Sequence, residues 1–524
     1  MLQTLTSTII IIIYTKGGMH MTEVLKIIKN PTLTYQQKVL SLARLAENED
    51  WESLPVTPEY KKAVEEGMLC DLGEGRVPYR PRYIIPDYEL FMKNGSKTLG
   101  ITPPTNLYEA IAALQILYHH VPSITSFPVY LGDFDDLFES FVNTMDREQA
   151  KNALRLFLLH IDKTLTDSFV HADIGPKDTL TGRIILELTE EMQLAIPNIT
   201  LKYDANVTSD EFAKLALDCM LKTAKPSFAN HTMFTSEWGE GYGIASCYNG
   251  LRQGGGGLTL HRIRLGSIST KADNVEHFIS DVLPYYTQML VDAMEDRVRF
   301  IVEDSLFFDT SLLAKEGLVR QENFTAMFGV VGLAECVNNL LGIEDARQGY
   351  GYNKEADQLA VRVMDTLEAI VKSHKSKYCA STNHQFGLHA QVGIDTDGME
   401  NSPGSRIPIF SEPLLHQQLN HSTMFHKYFP TGSGDVFKFD QTWFKSLDAL
   451  LDIIKGAVSK GFRYFSGYNE DSDVVRVTGY LVKRSEIEKL DRLEQSLNQA
   501  TVFGQGARDG ANALSRRIHD EGSR

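Results

Sequence analysis

The sequence is poor in cysteine and tryptophan. Only five cysteines and three tryptophans occur among its 524 residues. The cysteines stand at positions 70, 219, 247, 336 and 379 and include no CxxC pair, which excludes a four-cysteine zinc site of the usual spacing. Cysteines so few and so scattered suit a reducing compartment, and we therefore expect a cytoplasmic protein.

Long hydrophobic runs and an excess of positive charge are also missing. The apolar run Ile9–Ile13 is too short to cross a bilayer, so no association with a membrane is expected. The formal net charge of −16 argues against nucleic-acid binding, because phosphate backbones are held by clustered lysine and arginine. With 43% hydrophobic and 23% charged residues, the composition is typical of a globular protein with a large core.

The first residues indicate a translation start further along the chain. Residues 16–18 read Lys-Gly-Gly, which is what a purine-rich ribosome-binding sequence gives when it is translated, and Met19 and Met21 follow. We therefore expect residues 1–18 to be a wrongly assigned or disordered leader.

No linker, low-complexity tract or internal repeat divides the rest of the chain. Helical and strand patterns alternate through most of it, which predicts an α/β fold. The predicted parts are a mainly helical N-terminal part (19–165), a catalytic region (166–460), a glycine-loop region (461–498) and a tail (499–524). The clearest predicted helices are 209–222, 274–302 and 354–372, and the clearest predicted strands are 199–203 and 258–264.

A glycine near the C-terminus lies between residues that could hold its backbone in place. The segment Asp473–Leu481 reads Asp-Val-Val-Arg-Val-Thr-Gly-Tyr-Leu. Because Gly479 has no side chain, its Cα can lose a hydrogen atom and share the unpaired electron with the neighbouring amide and carbonyl in a planar form. Arg476 and Tyr480 are placed to support such a loop. A plain strand over 474–478 that ends in a glycine turn is the alternative.

A radical stored on glycine is useful only if a group that reaches the substrate can exchange hydrogen with it. A thiol can do so, and Cys247 is the best candidate because it follows a small-residue strand and opens a loop rich in glycine. Cys219 and Cys336 lie in apolar helical patterns, where a free cysteine acts as a small hydrophobic side chain. That passive role is also the alternative for Cys247.

The cysteine and glycine segments together resemble the glycyl radical enzymes, which include pyruvate formate-lyase, the radical diol dehydratases and the anaerobic ribonucleotide reductases. The likeness runs from about residue 170 to residue 482, and it is to the YjjI-type branch. Segments similar to those of the family occur in the family's order at 197–203, 225–230, 256–265 and 324–335. The resemblance implies a ten-stranded β/α barrel of two five-stranded halves, wrapped by helices and preceded by a helical N-terminal part.

The chain departs from its better-known relatives near the cysteine. Pyruvate formate-lyase has two adjacent cysteines, whereas Ser246 precedes Cys247 here, so acyl transfer to coenzyme A is not expected. The radical dehydratases place a glutamate base two residues after the cysteine, where this chain has Asn249, and an amide takes no proton at neutral pH. The reductases carry a nucleotide-sensing domain and a zinc site, and the sequence shows neither pattern. Reductase-like activity stays open as an alternative, as does a non-catalytic protein that donates its radical to a partner.

Candidate substrate contacts come from polar clusters on short predicted strands, which a barrel would aim inward, and from the cysteine loop. The candidates are His171, Asp173, Tyr248, Asn249, His384 and His389. His384 and His389 are the candidates for proton transfer, because imidazole titrates near neutral pH. For each histidine, the alternative is that it satisfies buried backbone groups.

Two further patterns predict no ligand site. His416, His421 and His426 advance by five residues, about 500° on a helix, so they share no face and are expected on a helix surface and in a loop. The glycines at 254–257 lack the residues of a phosphate-binding loop.

The resemblance also implies a partner and a cofactor. A radical S-adenosylmethionine activating enzyme with a 4Fe-4S cluster would remove a hydrogen atom from Gly479. Cys247 would then pass the radical to a small organic substrate under anaerobic conditions. No metal bound by this chain is expected, and a homodimer stays open.

Overall fold

The computed structural model describes most of the chain. The described residues are 17–47, 56–71, 79–123, 126–391, 402–408, 411–469, 472–476 and 480–497. The predicted tail, and all but the last two residues of the predicted leader, lie outside them. Gly479 and the two residues before it also lie outside the described residues.

Short strands are distributed from residue 69 to residue 483. In chain order they are β1 (Leu69–Asp71), β2 (Tyr83–Ile85), β3 (His171–Ile174), β4 (Asn198–Tyr203), β5 (Ser227–Asn230), β6 (Tyr242–Ala245), β7 (Asn249–Arg252), β8 (Gly255–Arg264), β9 (Phe324–Val331), β10 (Gly387–Ala390), β11 (Asp435–Phe439), β12 (Tyr464–Asn469), β13 (Val474–Arg476) and β14 (Leu481–Lys483).

Ten of these strands form two five-stranded sheets. In the first sheet β1 and β2 pair antiparallel with β8, while β8, β9 and β10 run parallel. In the second sheet the order is β11-β12-β5-β4-β3, and every pair is parallel except β12 with β5. The α/β fold and the two five-stranded halves expected from the family resemblance are therefore present.

Backbone segments just outside the strands extend both sheets. Residues 129–133 run along the free edge of β3, where Leu131 N donates to His171 O at 2.8 Å and Asp173 N donates to Gly132 O at 3.1 Å. Residues 431–432, which lead into β11 of the second sheet, meet the end of β10 in the first sheet. The bond there runs from Ala390 N to Gly432 O at 3.0 Å. The two sheets therefore approach each other at this point.

Helices precede the first sheet and lie between the strands. They are Gly17–Lys29, Tyr35–Glu47, Pro58–Glu65, Tyr88–Asn94, Leu107–Tyr118, Phe134–Val142, Arg147–Thr164, Leu180–Met192, Asp210–Thr223, His231–Trp238, Leu265–Ser269, Val275–His277, Leu283–Arg299, Phe307–Thr310, Leu312–Lys315, Leu333–Leu341, Lys354–Ser373, Leu415–Thr423, Leu447–Ser459 and Arg484–Asp491. The helix Asp210–Thr223 packs on β12, and Leu283–Arg299 packs on β8. Strands β3, β4, β5 and β9 are buried at every position, as expected for sheets covered on both faces.

The predicted elements are confirmed within a few residues at each end. The predicted helix 209–222 is observed as Asp210–Thr223, because Ser209 caps it by accepting a hydrogen bond from Phe212 N. The predicted helix 274–302 is continuous but contains two π-helical segments, Phe278–Val282 and Phe300–Asp304. Among the described residues, no helix combines the length and the apolar composition that crossing a membrane requires.

Two expectations about histidines are wrong. His421 and His426 were expected on a surface, yet both are buried: His421 faces Asp357 at 3.1 Å, and His426 faces Asp435 at 3.5 Å. His384 was expected on an inward-facing strand. It follows a 3₁₀ turn (Ala380–Thr382), has a positive φ of 62° and is exposed, so it does not point into the molecule.

Candidate active site

Cys247 lies at the tip of a tight hairpin between the two sheets. Strands β6 and β7 pair antiparallel with Ala245 opposite Asn249, so three residues make the turn. Ser246 adopts a left-handed conformation, with φ of 58°, which reverses the chain before the cysteine. Cys247 is only 6% exposed. The hairpin therefore presents a thiol to the interior of the protein.

The second sheet holds one side of this hairpin through three side chains. His171 Nδ1 donates to Ser246 O at 3.0 Å, next to the cysteine. Asp173 accepts a hydrogen bond from Ile244 N at 2.7 Å, and Lys202 Nζ donates to Tyr242 O at 2.7 Å. His171 and Asp173, both predicted as substrate contacts, thus contact the backbone of the cysteine hairpin.

The first sheet holds the other side. Tyr248 donates from its hydroxyl to Ala390 O at 2.5 Å, and its ring lies 5.6 Å from the ring of His389. Gly250 N also donates, at 3.0 Å, to Thr431 O in the segment that leads into β11 of the second sheet. The hairpin is therefore bonded to both sheets, which fixes the position of the thiol.

Asn249 braces the turn from within. Its side-chain amide donates to Ala245 O at 2.8 Å, across the hairpin. Its Oδ1 is buried and accepts no hydrogen bond from the residues that the structure describes. Asn249 therefore supplies a fixed amide and one available acceptor, rather than a base.

The residues that flank Gly479 dock on the second sheet. Strands β13 and β14 pair antiparallel, with Arg476 opposite Leu481. The buried guanidinium of Arg476 donates through Nη2 to Ala224 O at 2.8 Å and to Asn198 Oδ1 at 3.1 Å. On the other side of the glycine, the Tyr480 ring packs edge-on against Phe169 at 5.6 Å.

The two loops are attached to neighbouring residues of one sheet. His171 of β3 and Asn198 of β4 are register partners. His171 holds the Cys247 turn, and Asn198 holds Arg476. Burial lowers the pKa of Arg476, and the nearby Cys247 and Tyr464 act on it in the opposite direction. The structure therefore brings the flank of the glycine loop to the cysteine.

A buried hydrogen-bond chain fixes the state of His171. Ser246 O can only accept, so Nδ1 carries a hydrogen. Burial lowers the pKa of His171 to about 3, so the ring is neutral and Nε2 accepts from Thr200 Oγ1 at 2.7 Å. Thr200 in turn accepts from the Tyr464 hydroxyl at 2.8 Å. This order of donors and acceptors fixes the tautomer and orientation of the His171 ring, which positions the cysteine turn.

His389 is buried like His171, but its Nε2 differs in its hydrogen bonding. Its Nδ1 donates to Thr431 O at 3.2 Å, and burial lowers its pKa to about 3. Within the described part of the chain, Nε2 has no hydrogen-bond partner. His389 therefore offers a lone pair near Tyr248, and its pKa is well below the near-neutral value that made it a candidate. His384 is remote from this group, with Nδ1 at 3.2 Å from Ser376 O.

A buried salt-bridge cluster behind the hairpin was not predicted. Lys202 Nζ lies 2.6 Å from Asp133 Oδ1 and 3.7 Å from Asp173 Oδ2, and all three side chains are buried. Burial alone would lower the pKa of Lys202, but the two carboxylates raise it. Oxygen atoms of Glu89, Asp133 and Asp136 also come within 4.8 Å of one another, and Lys202 already supplies a positive charge there.

Three further residues of the site were missed because no local motif marks them. The Tyr464 ring is tilted against the Tyr248 ring at 5.9 Å, and Arg406 lies over the Tyr248 ring at 5.5 Å. Lys202 falls inside a segment that the family resemblance includes, but its spacing relative to Asp173 gives no sign of an ion pair. Only the pairing of β3 with β4 brings these two together.

Comparisons with known proteins identify the family of the chain. The family model described as glycyl radical enzyme YjjI-like matches residues 33–519. An uncharacterized protein of Haemophilus influenzae is 43% identical over 503 residues, covering 95% of this chain and 98% of the relative. The uncharacterized protein YjjI of Escherichia coli is 37% identical over 493 residues, covering 94% of each.

Solved structures of low sequence identity share the fold. The anaerobic ribonucleotide reductase from Thermotoga maritima with glycerol in the active site aligns with a TM-score of 0.67 and 15% identity, over 90% of this chain and 93% of that chain. Hydroxyproline dehydratase from Clostridioides difficile aligns with a TM-score of 0.64 and 10% identity, over 94% and 88% of the two chains. The fold, the full-length family match and the two relatives agree, and the chain therefore belongs to the YjjI-like family of glycyl radical enzymes.

Proposed function

We propose that the chain stores a radical on Gly479 and uses it to form a thiyl radical on Cys247, which abstracts hydrogen from a small organic substrate. The observation that most directly supports this is the attachment of both loops to one pair of sheet residues. His171 holds the Cys247 turn, and its register partner Asn198 holds Arg476, three positions before Gly479.

The proposed chemistry is a pair of hydrogen-atom transfers. The glycyl radical supplies the unpaired electron. The Sγ–H bond of Cys247 breaks evenly, its hydrogen atom completes the Cα–H bond of Gly479, and the unpaired electron stays on sulfur. Sulfur then takes a hydrogen atom from a substrate C–H bond, and the substrate radical rearranges, is cleaved or is reduced before the hydrogen returns. Burial of Cys247 limits side reactions of these radicals with solvent.

Activation requires a second protein. Members of this family need an activating enzyme, and we propose one that uses S-adenosylmethionine and a 4Fe-4S cluster to remove hydrogen from Gly479. We propose that this takes place in the cytoplasm and that the chain itself binds no metal. The division into a leader, a helical part, a barrel, a glycyl radical loop and a tail remains a proposal, as does a homodimer.

The side chains near the thiol restrict the reaction. Ser246 offers no second thiol for acyl transfer, and the amide of Asn249 is engaged with Ala245 O. His389 is the group that we propose as the acceptor for a substrate hydroxyl, because its Nε2 carries a lone pair. A neutral imidazole of low pKa is a hydrogen-bond acceptor rather than a strong base.

Two alternative functions make different demands. Reductase-like activity requires electrons, and the cysteines other than Cys247 lie in other environments. Cys219, for example, contacts Leu186 O at 3.6 Å, and Cys70 accepts a hydrogen bond from Arg262. An external donor would therefore be needed. A non-catalytic radical donor would have no use for a thiol held by both sheets.

The test is an anaerobic EPR spectrum after incubation with the activating enzyme, S-adenosylmethionine and a reductant. We expect a doublet from the remaining Cα hydrogen of Gly479, and we expect Gly479→Ala to lose it completely. An activating enzyme that is shown to cleave S-adenosylmethionine, yet yields no doublet with the wild-type chain, would contradict the proposal. So would a doublet that survives in Gly479→Ala.

A further inference from the structure

We propose that the substrate of the Cys247 site carries a carboxylate or phosphate group and that Arg406 binds this group. The inference rests on the proposed role of Cys247 and adds the chemical class of the substrate. It follows from the position of one guanidinium beside the cysteine hairpin and from the charges around it.

The guanidinium of Arg406 is placed over the residue next to the thiol. Its Cζ lies 5.5 Å from the centre of the Tyr248 ring. Its Nε donates to Gly434 O, which fixes the plane of the group. The guanidinium is therefore oriented through Nε, and no described residue accepts from its two terminal nitrogens.

Among the described residues, the carboxylate of Asp435 lies near Arg406 and also faces His426. Asp435 Oδ1 lies 3.8 Å from Arg406 Nε, beyond hydrogen-bond distance, while Asp435 Oδ2 faces His426 Nε2 at 3.5 Å. Asp435 is buried, and it approaches Arg406 at Nε rather than at the two ends of the fork. A second anion can therefore bind those ends without displacing Asp435.

Two further arginines, Arg476 and Arg82, carry positive charge near the cysteine hairpin. Arg476 is buried close enough to Arg406 and Cys247 for their charges to affect each other, and Arg82 acts in the same way on His389. Asp435 is the counter-charge that acts on Tyr248 together with Arg406. Positive charges near a buried site favour a bound anion, because a ligand charge offsets their mutual repulsion.

The geometry of the fork sets the kind of anion. A guanidinium presents parallel N–H groups that match two oxygens of a carboxylate or a phosphate. Arg406 lies over the ring of Tyr248, the residue that follows Cys247, so the anionic group would lie beside the cysteine hairpin. A small acid or phosphate ester fits this description, and a neutral polyol does not use the fork.

The test measures binding to the protein before activation, so that no radical is needed. Lactate is compared with 1,2-propanediol, and glycerol 3-phosphate with glycerol, by isothermal titration calorimetry. We expect at least one anion to bind in the millimolar range and its neutral counterpart to bind at least about tenfold more weakly. Comparing lactate with glycerol 3-phosphate shows whether the site prefers a carboxylate or a phosphate group.

Variants then assign the binding to Arg406. Arg406→Gln is expected to weaken the anion at least about tenfold, and Arg406→Lys to weaken it less, because a lysine keeps the charge but loses the fork. Arg362→Gln is the matched control. It removes the same charge from an exposed pair with Glu276 and should not change binding. Thermal unfolding of each variant shows that it is folded.

The outcomes separate this inference from the proposed function. If no anion binds the wild type at tens of millimolar, or if Arg406→Gln binds it equally well, the inference is wrong, whatever the EPR spectrum shows. If the anion binds through Arg406 but no glycyl radical forms, the binding site stands and the radical mechanism fails.

Discussion

Replacing Cys247 with serine is expected to stop solvent deuterium from reaching the Gly479 radical while leaving the radical itself in place. In D₂O the thiol of Cys247 carries deuterium, and reversible transfer places it on the Cα of Gly479. The EPR doublet of the wild type should therefore collapse to a narrower signal. An O–H bond is much stronger than an S–H bond, so serine cannot pass a hydrogen atom to the Gly479 radical. Deuterium exchange at the Cα of Gly479 should therefore slow by about 10³-fold or more.

The control for this experiment is another buried cysteine whose thiol already has a hydrogen-bond acceptor. Cys219→Ser keeps a donor toward Leu186 O, 3.6 Å from the present sulfur, and should exchange at the wild-type rate. If the doublet of Cys247→Ser collapsed as quickly as that of the wild type, Gly479 would have another route to solvent hydrogen. A role for Cys247 in radical transfer would then be untenable.

The sequence alone leads to the hypothesis that Gly479 and Cys247 form the central pair, because the signals for both residues are local. The hypothesis for Gly479 depends on a residue without a side chain inside a supporting loop. The hypothesis for Cys247 depends on a loop that follows a small-residue strand. Both conditions are visible within ten positions. The structure adds that the two signals belong to one region, since the register partners His171 and Asn198 hold the Cys247 turn and Arg476, which lies three positions before Gly479.

The environment of the cysteine could not be predicted in the same way. Arg406 and Tyr464 meet at Tyr248 only after two sheets have formed, and nothing in their neighbouring sequence marks them. The pKa of His389 depends on its complete burial, and the residues next to it in the sequence do not show that burial. The expectation for His421 failed for a related reason, because its partner Asp357 comes from a different helix.

Removing the charge of Lys202 is expected to destabilise the protein by about 3–5 kcal/mol at pH 7, because two buried carboxylates lose their counter-charge. Lys202 Nζ lies 2.6 Å from Asp133 Oδ1 and 3.7 Å from Asp173 Oδ2, and it also donates to the hairpin at Tyr242 O. Lys202→Met should therefore lower the urea midpoint for loss of tertiary structure. Lys222→Met is the control. The loss of its partly exposed ion pairs with Asp218 and Glu190 should cost less than about 1 kcal/mol.

The deficit of Lys202→Met should also depend on pH, with a sign that follows from Asp173. Burial raises the pKa of Asp173 well above its usual value, while Lys202 opposes that rise. Without the lysine the pKa rises further, so the folded state holds this proton more tightly than the unfolded state. The wild type carries the same penalty up to its own raised folded pKa, so the extra penalty of the variant is absent below that pKa and grows as pH rises above it. The deficit relative to wild type should accordingly be larger at pH 9 than at pH 5. An equal deficit at both values would mean that lost packing, rather than uncompensated charge, explains the role of Lys202 behind the cysteine hairpin.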